Sequence, residues 1–195
     1  LSTAKETELF RNDIPLKDKK ITAEVCVHHL NFEANDYDEK GTFIKWNPAV
    51  KTADDRAGLW EALLDDRIDV IATDHAPHAP EKKLLELDRA PFGILGLETA
   101  VGLSVMRLIE SGRIDWSRFV EAMSLLPARI LGVNRGTLRP GAVADVTLID
   151  PSREWQVDVD SFASKSVNSP FDGWTLRGRA VATIVSGRVK YRLSN

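Results

Sequence analysis

Apolar and polar positions along the chain switch between two periods. From Ile21 to Val27 they alternate. Ile21, Ala23, Val25 and Val27 are separated by Thr22, Glu24 and Cys26, the period of a strand. Ile68, Val70 and Ile71 make a shorter apolar run of β-formers between turn residues, which predicts a strand covered on both faces. Between these strands, Leu59, Trp60, Leu63 and Leu64 recur at helical spacing behind Thr52-x-x-Asp55, a capping signal, with Arg56 as a basic interruption. Phe43 to Trp46 reads as a short strand stopped by Asn47-Pro48, and the polar stretch Asn31–Gly41 as a loop. Upstream, Thr3-x-x-Glu6 repeats the capping spacing and predicts a helix running to Phe10, with Pro15 ending any continuation.

The second half is helical first and β-rich later. Glu98 to Ile109 is apolar nearly all round, so a well-buried helix is expected. Asp115 can cap a helix from Trp116 to Met123, and another short helix begins at Pro127. From Gly136 the character changes. A Pro140-Gly141 turn precedes a strand, Ala144 to Ile149, and two further strands flank Ser186-Gly187, a hairpin signal. The middle therefore reads strand, loop, strand, helix, strand, with polar residues repeatedly at strand C-terminal ends. That is the layout of a parallel α/β protein, and of a (β/α) barrel in particular. Residues 1–135 are expected to belong to the barrel and 136–195 to a small β module, whose strands need a sheet supplied from elsewhere.

Composition narrows the classes. With 195 residues, 43% hydrophobic, the chain can bury a core. A formal net charge of −3 and the lack of a basic block argue against general nucleic-acid binding. The single cysteine, Cys26, rules out an internal disulfide and fits a reducing compartment. No apolar run is long enough to span a bilayer, and the N-terminus lacks a signal-peptide pattern, so the cytoplasm is expected. The chain opens without Met in LSTAKETELF, which reads as a helix start already inside a domain, so a fragment is expected.

The chemistry concentrates after the buried strand, in IDVIATDHAPH (Ile68–His78). Thr73, Asp74, His75 and His78 leave the end of that strand around Pro77. A carboxylate and two imidazoles placed so have a rigid base and an accessible loop, as a catalytic or metal site requires. His28 and His29 end the other strand; alone, such a pair could bind metal, substrate or backbone carbonyls. Asn47 could reach a ligand or merely turn the chain. Gly93 and Gly96 allow backbone to approach where side chains would intrude. The charged run Pro80–Ala90 reads as a solvated face beside the site, or part of a lid.

Taken together, LSTAKE, EVCVHHL, KWNPAVK, IDVIATDHAPH, PFGILGLET, RPGAVADVTLID and SKSVNSPFDGWTLRG occur in the order in which dihydroorotases of the class I bacterial kind carry similar stretches. The chain thus resembles the C-terminal half of that family, within the amidohydrolase superfamily. The resemblance implies a TIM barrel with a small β-sandwich. It implies zinc, two ions per complete site, and the reversible hydrolysis of L-dihydroorotate to N-carbamoyl-L-aspartate in pyrimidine synthesis. By resemblance Asp74 ligates a zinc and moves a proton between the attacking hydroxide and the ring nitrogen. His78 meets the substrate carboxylate, Asn47 contacts the ring, and Phe92 and Gly93 meet it through backbone groups. His75 matches a family position without an assigned role. His28 and His29 match a family His-His read mainly as structural or supporting. Cys26, Trp46 and Ala49 depart from the commoner family residues.

The family's His-x-His, its bridging ligand, its other metal histidines and its carboxylate-binding arginine have no counterpart here. Asp74 is then the one expected ligand, and one carboxylate cannot hold zinc in an ordered tetrahedral site. The chain alone is expected to be inactive and poorly soluble. Its expected partners are the N-terminal half of the barrel and, from the family, a second copy or aspartate transcarbamoylase. Two other readings follow from the same motifs: another cyclic amidohydrolase (hydantoinase, dihydropyrimidinase or allantoinase), or a non-catalytic dihydroorotase-like partner of aspartate transcarbamoylase.

Overall fold

The structure is a computed structural model and describes residues 1–194. The alternating segment pairs only over its last part: β1 (Glu24–Cys26) runs parallel to β2 (Val70–Ala72), with Val25 opposite Ile71 and Cys26 opposite Ala72. Val25 and Ile71 are buried and Glu24 is exposed, the alternation that the pattern required. Both strands are pinned where they enter. The Lys19 ammonium donates to Asp69 at 2.6 Å in a buried ion pair, and the other Asp69 oxygen accepts the Ala23 N–H at 3.0 Å.

Four helices accompany this pair: α1 (Ala4–Thr7), α2 (Tyr37–Lys40), α3 (Ala53–Leu64) and α4 (Pro80–Lys83). Both anticipated capping boxes form in full, Thr3 with Glu6 and Thr52 with Asp55. Asp55 also accepts the Ala4 N–H at 3.1 Å, and Gly58 has no side chain where Ala4 sits, so α1 and α3 touch closely. α1 ends earlier than expected, at Thr7; Glu8 to Phe10 continue only as i→i+3 turns. The expected strand at Phe43–Trp46 does not form. Gly41 to Ile44 make a 3-10 turn, because Thr42 bonds sideways to the Lys83 carbonyl and no strand lies alongside. Nor is Asn31–Gly41 plain loop: Ala34–Asp36 is a 3-10 turn, capped by Glu33 and Asp36, and it leads into α2.

The chain divides into two interleaved compact units, residues 1–100 with 157–174, and residues 101–156 with 175 onward. In the first, Phe32, Trp46, Phe171 and Trp174 form an aromatic cluster with ring centroids 5.2–5.9 Å apart. The second begins within α5 (Ala100–Ser104), which widens into a π turn at Val105–Ile109. It continues through α6 (Trp116–Val120), capped by Asp115 as expected, and α7 (Leu126–Ile130). Its sheet is β3 (Val146–Gln156), β4 (Thr175–Val185) and β5 (Arg188–Arg192), antiparallel in that order, with the anticipated turn at Ser186-Gly187, both at positive φ. Among the described residues no helix is long and apolar enough to cross a membrane.

Candidate active site at the ends of the parallel strands

Beyond β1 the chain turns at once into a 3-10 helix, Val27–Leu30, which buries His28 and His29. His28 lies against the Trp46 ring at 4.3 Å and the His29 ring at 4.7 Å, and neither of its ring nitrogens has a hydrogen-bond partner. Burial, with a smaller effect of His29, holds its pKa well below the usual imidazole range, so the ring is neutral. His29 is likewise depressed, to about 4, by burial first. Its Nε2 is 2.8 Å from the Pro48 carbonyl and 3.1 Å from the Trp46 indole nitrogen, contacts that require opposite tautomers. Only one of them can be a hydrogen bond at a time, and Nδ1 is buried without a partner.

Cys26 completes this group. One donor atom from each of Cys26, His28 and His29 lies within 4.8 Å of the others. The Cys26 thiol is pushed up to about 12, by burial first and then by the Asp74 and Glu24 charges, so it stays protonated. Asp74, whose charge also acts on His29, follows β2 with φ +45°, a left-handed conformation uncommon for a non-glycine residue. The sequence reading gave His28 and His29 a supporting part and Asp74 the one ligand place. The structure adds neutral imidazole nitrogens, buried and unpartnered, on His28 and His29, while Asp74 is exposed and lies outside the group whose donor atoms are within 4.8 Å of one another. Such nitrogens fit a divalent metal, which would satisfy groups otherwise costly to bury.

Past Asp74, the loop is held by its neighbours. His75 pairs as an isolated parallel bridge with Ile94, and its Nδ1 accepts the Gly96 N–H at 3.2 Å. His75 therefore orders the glycine loop from behind. The His78 Nε2–H donates to the Phe92 carbonyl at 2.7 Å. In the neutral tautomer that bond leaves Nδ1 only a lone pair, so donation to a substrate carboxylate from this pose requires the imidazolium. Gly93 and Gly96 do permit close approach, but what approaches is protein. A Cβ on Gly93 would meet the Ala76 carbonyl and the His78 ring, and one on Gly96 would meet the Thr73 carbonyl. Phe92 is half exposed, and the Lys45 ammonium lies 4.8 Å from its ring centroid. Asn47 is exposed, next to buried Trp46 and before a cis Pro48.

One organising residue escaped the sequence reading. Asn168, fully buried, accepts the His78 backbone N–H at 3.0 Å and donates to the Ala76 carbonyl at 3.0 Å. Its own carbonyl takes the Leu95 N–H at 3.1 Å. The sole hint in sequence was its place in SVNSP, a turn-rich stretch.

The chain is similar to known proteins over nearly its whole length. A family profile described as "Amidohydrolase family" matches residues 7–190. The chain is 46% identical over 192 residues to a dihydroorotase of Citrifermentans bemidjiense, covering 98% of this chain and 45% of that protein. It is 47% identical over 189 residues to the dihydroorotase of Pelotomaculum thermopropionicum, covering 97% and 44%. Among solved structures, the L-hydantoinase (dihydropyrimidinase) of Arthrobacter aurescens matches with a TM-score of 0.90 at 30% identity, over 100% of this chain and 44% of that one. The chain thus spans a little under half the length of the relatives it matches, and its fold is part of their TIM-barrel fold. The parallel β1–β2 pair is what the barrel expectation required of this chain.

Proposed function

The chain belongs to the amidohydrolase family, and from that premise we propose that it is the C-terminal part of a zinc-dependent dihydroorotase, hydrolysing L-dihydroorotate reversibly to N-carbamoyl-L-aspartate in pyrimidine synthesis in the cytoplasm. The observation that carries the substrate is the 46% identity, over 98% of the chain, to proteins named dihydroorotase. A hydantoin or dihydropyrimidine ring is the second reading, favoured by the 0.90 TM-score to the L-hydantoinase.

The residues divide the work as follows. The buried imidazoles of His28 and His29 would hold zinc, with the Asp74 carboxylate, which lies outside their donor group in this structure, as the further ligand. Cys26 lies within reach, but its protonated thiol makes it the weaker donor. Zinc held there would supply Lewis-acid polarisation of the ring amide and a water of pKa about 7. Asp74 takes the proton of the attacking water and returns it to the ring nitrogen as the C–N bond breaks. His78 is placed to meet the substrate carboxylate through Nδ1 while its Nε2–H stays on the Phe92 carbonyl. The Asn47 amide and the backbone of Phe92 and Gly93 bracket the ring. The remaining ligands and the rest of the barrel come from the polypeptide that completes it, which is the chain's expected partner.

Joined to that polypeptide, the chain is expected to hydrolyse dihydroorotate, to lose activity on chelation and to regain it with Zn²⁺. Asp74→Asn is expected to lower kcat about 10³-fold, since it removes the proton carrier. Faster turnover of hydantoin or dihydrouracil than of dihydroorotate would replace the substrate assignment.

A further inference from the structure

Around α4 the usual hydrophobic order is inverted. Leu84 and Leu87 are exposed, whereas Lys83, in the middle of a charged run, is fully buried. Burying an ammonium without a counter-charge is expensive unless all its protons are bonded. Among the described residues no carboxylate pairs with Lys83. Its Nζ donates instead to the carbonyls of Lys45 at 3.2 Å, Pro91 at 3.1 Å and Gly93 at 3.1 Å. An ammonium has three N–H groups and no lone pair, so these carbonyls use all it can offer.

The captured carbonyls are not scattered. Pro91 and Gly93 flank Phe92, whose own carbonyl receives the His78 Nε2–H. Lys45 precedes Trp46 and Asn47, and its carbonyl also accepts the Gly93 N–H at 3.0 Å. Thr42 in turn bonds to the Lys83 carbonyl, so the clamp is itself anchored. Nearby, Lys45 reaches outward to the Leu87 carbonyl at 2.5 Å and the Ala90 carbonyl at 2.6 Å. Between them the two lysines satisfy much of the backbone of a loop that has no strand partner of its own along 84–92.

We propose that Lys83 is a positioning residue of the site. Its ammonium gathers three carbonyls, so that the loop bearing Phe92 and the segment bearing Asn47 are held as one body against His78. The inference rests on the reading that these segments bracket the substrate ring. Burial, then the charge of Lys45, lowers the Lys83 pKa to about 8, which leaves it charged at neutral pH with all three donors in place.

The test compares the complete enzyme, wild type and Lys83→Met, by amide hydrogen exchange and by kinetics. Methionine keeps the length and apolar stem and removes the donors. Exchange in residues 91–95 is expected to rise about tenfold, with α3 unchanged. KM is expected to rise about tenfold, with kcat falling less. Unchanged exchange and KM overturn the proposal. If Lys83→Met does not fold, side-chain NMR of ¹⁵N-lysine-labelled wild type decides. A protected ammonium with contacts to the 91–93 segment, distinct from that of the ion-paired Lys19, supports the clamp, and surface-like exchange of every lysine of this chain but Lys19 overturns it. Loosened exchange in a protein whose wild type turns over neither ring leaves the clamp standing and removes the functional reading instead.

Discussion

Asn168 shows what single residues contribute to this site and why some are invisible in sequence. Its amide joins backbone groups at Ala76 and His78, some ninety positions away, and it is fully buried. Asn168→Ala would leave a part-buried N–H and a part-buried carbonyl without partners and open a cavity where the buried amide sat. It is expected to destabilise the protein by about 2 kcal/mol, read as a lower urea midpoint, whereas a surface asparagine change would be nearly neutral. The chemistry of Asp74, His75 and His78 was legible because it is local: a carboxylate and imidazoles at the end of an apolar run. Asn168, the orphaned nitrogens of His28 and the inward turn of Lys83 were not, since each depends on what long-range folding places opposite it. The glycines fall between. Their need for close approach was readable, but that His78 and Thr73 are the groups approached was not.

At the scale of elements, capping chemistry was the most reliable guide. Both Thr-x-x-acid signals formed reciprocal boxes because their bonds close within one turn. Where the guide was periodicity alone, it failed at Phe43–Trp46: Ile44 and Trp46 are buried at strand-like spacing, but the segment is held by Lys83 and Gly93 rather than by a neighbouring strand. The Thr52 box also has a pH signature. Asp55 is held below its ordinary value of 3.8, first by the Thr52 hydroxyl, which burial opposes, and then by the Ala4 and Thr52 N–H groups. A carboxylate with a depressed folded pKa contributes stability that is present above 3.8 and is lost as pH falls through the folded value. Thr52→Ala is expected to cost about 1 kcal/mol at neutral pH. It should also raise the Asp55 pKa toward 3.8, so that the variant's acid unfolding begins at higher pH than that of the wild type. Parallel acid titrations followed by circular dichroism check both, and coincident curves would remove the box as a source of stability.

At the scale of the molecule, the governing fact is that the chain spans about 45% of the dihydroorotases it matches. A (β/α) barrel hides strand edges by closing on itself. Here β1 and β2 form a two-stranded sheet, so among the described residues each has one paired and one open edge. Leu9, Ile21, Leu131 and Leu138 are each more than 70% exposed, the kind of surface that a complete protein covers. The donor group of Cys26, His28 and His29, with one thiol held protonated, is likewise short of the four donors of an ordered zinc site. Open edges, bare aliphatic side chains and an incomplete donor set lead to one expectation. The isolated chain should bind the dye ANS, self-associate as its concentration rises, and show no dihydroorotate turnover. Adding the polypeptide that corresponds to the rest of its relatives' length should quench the dye signal, give a discrete species on sizing, and bring activity and stoichiometric zinc together. Recovery of all three at one mixing ratio is the decisive feature, because edge pairing and metal ligation are then satisfied by the same contact. Full turnover by the unmixed chain would mean instead that its own residues close the site, and that the zinc arrangement must be redrawn around Cys26, His28, His29 and Asp74 alone.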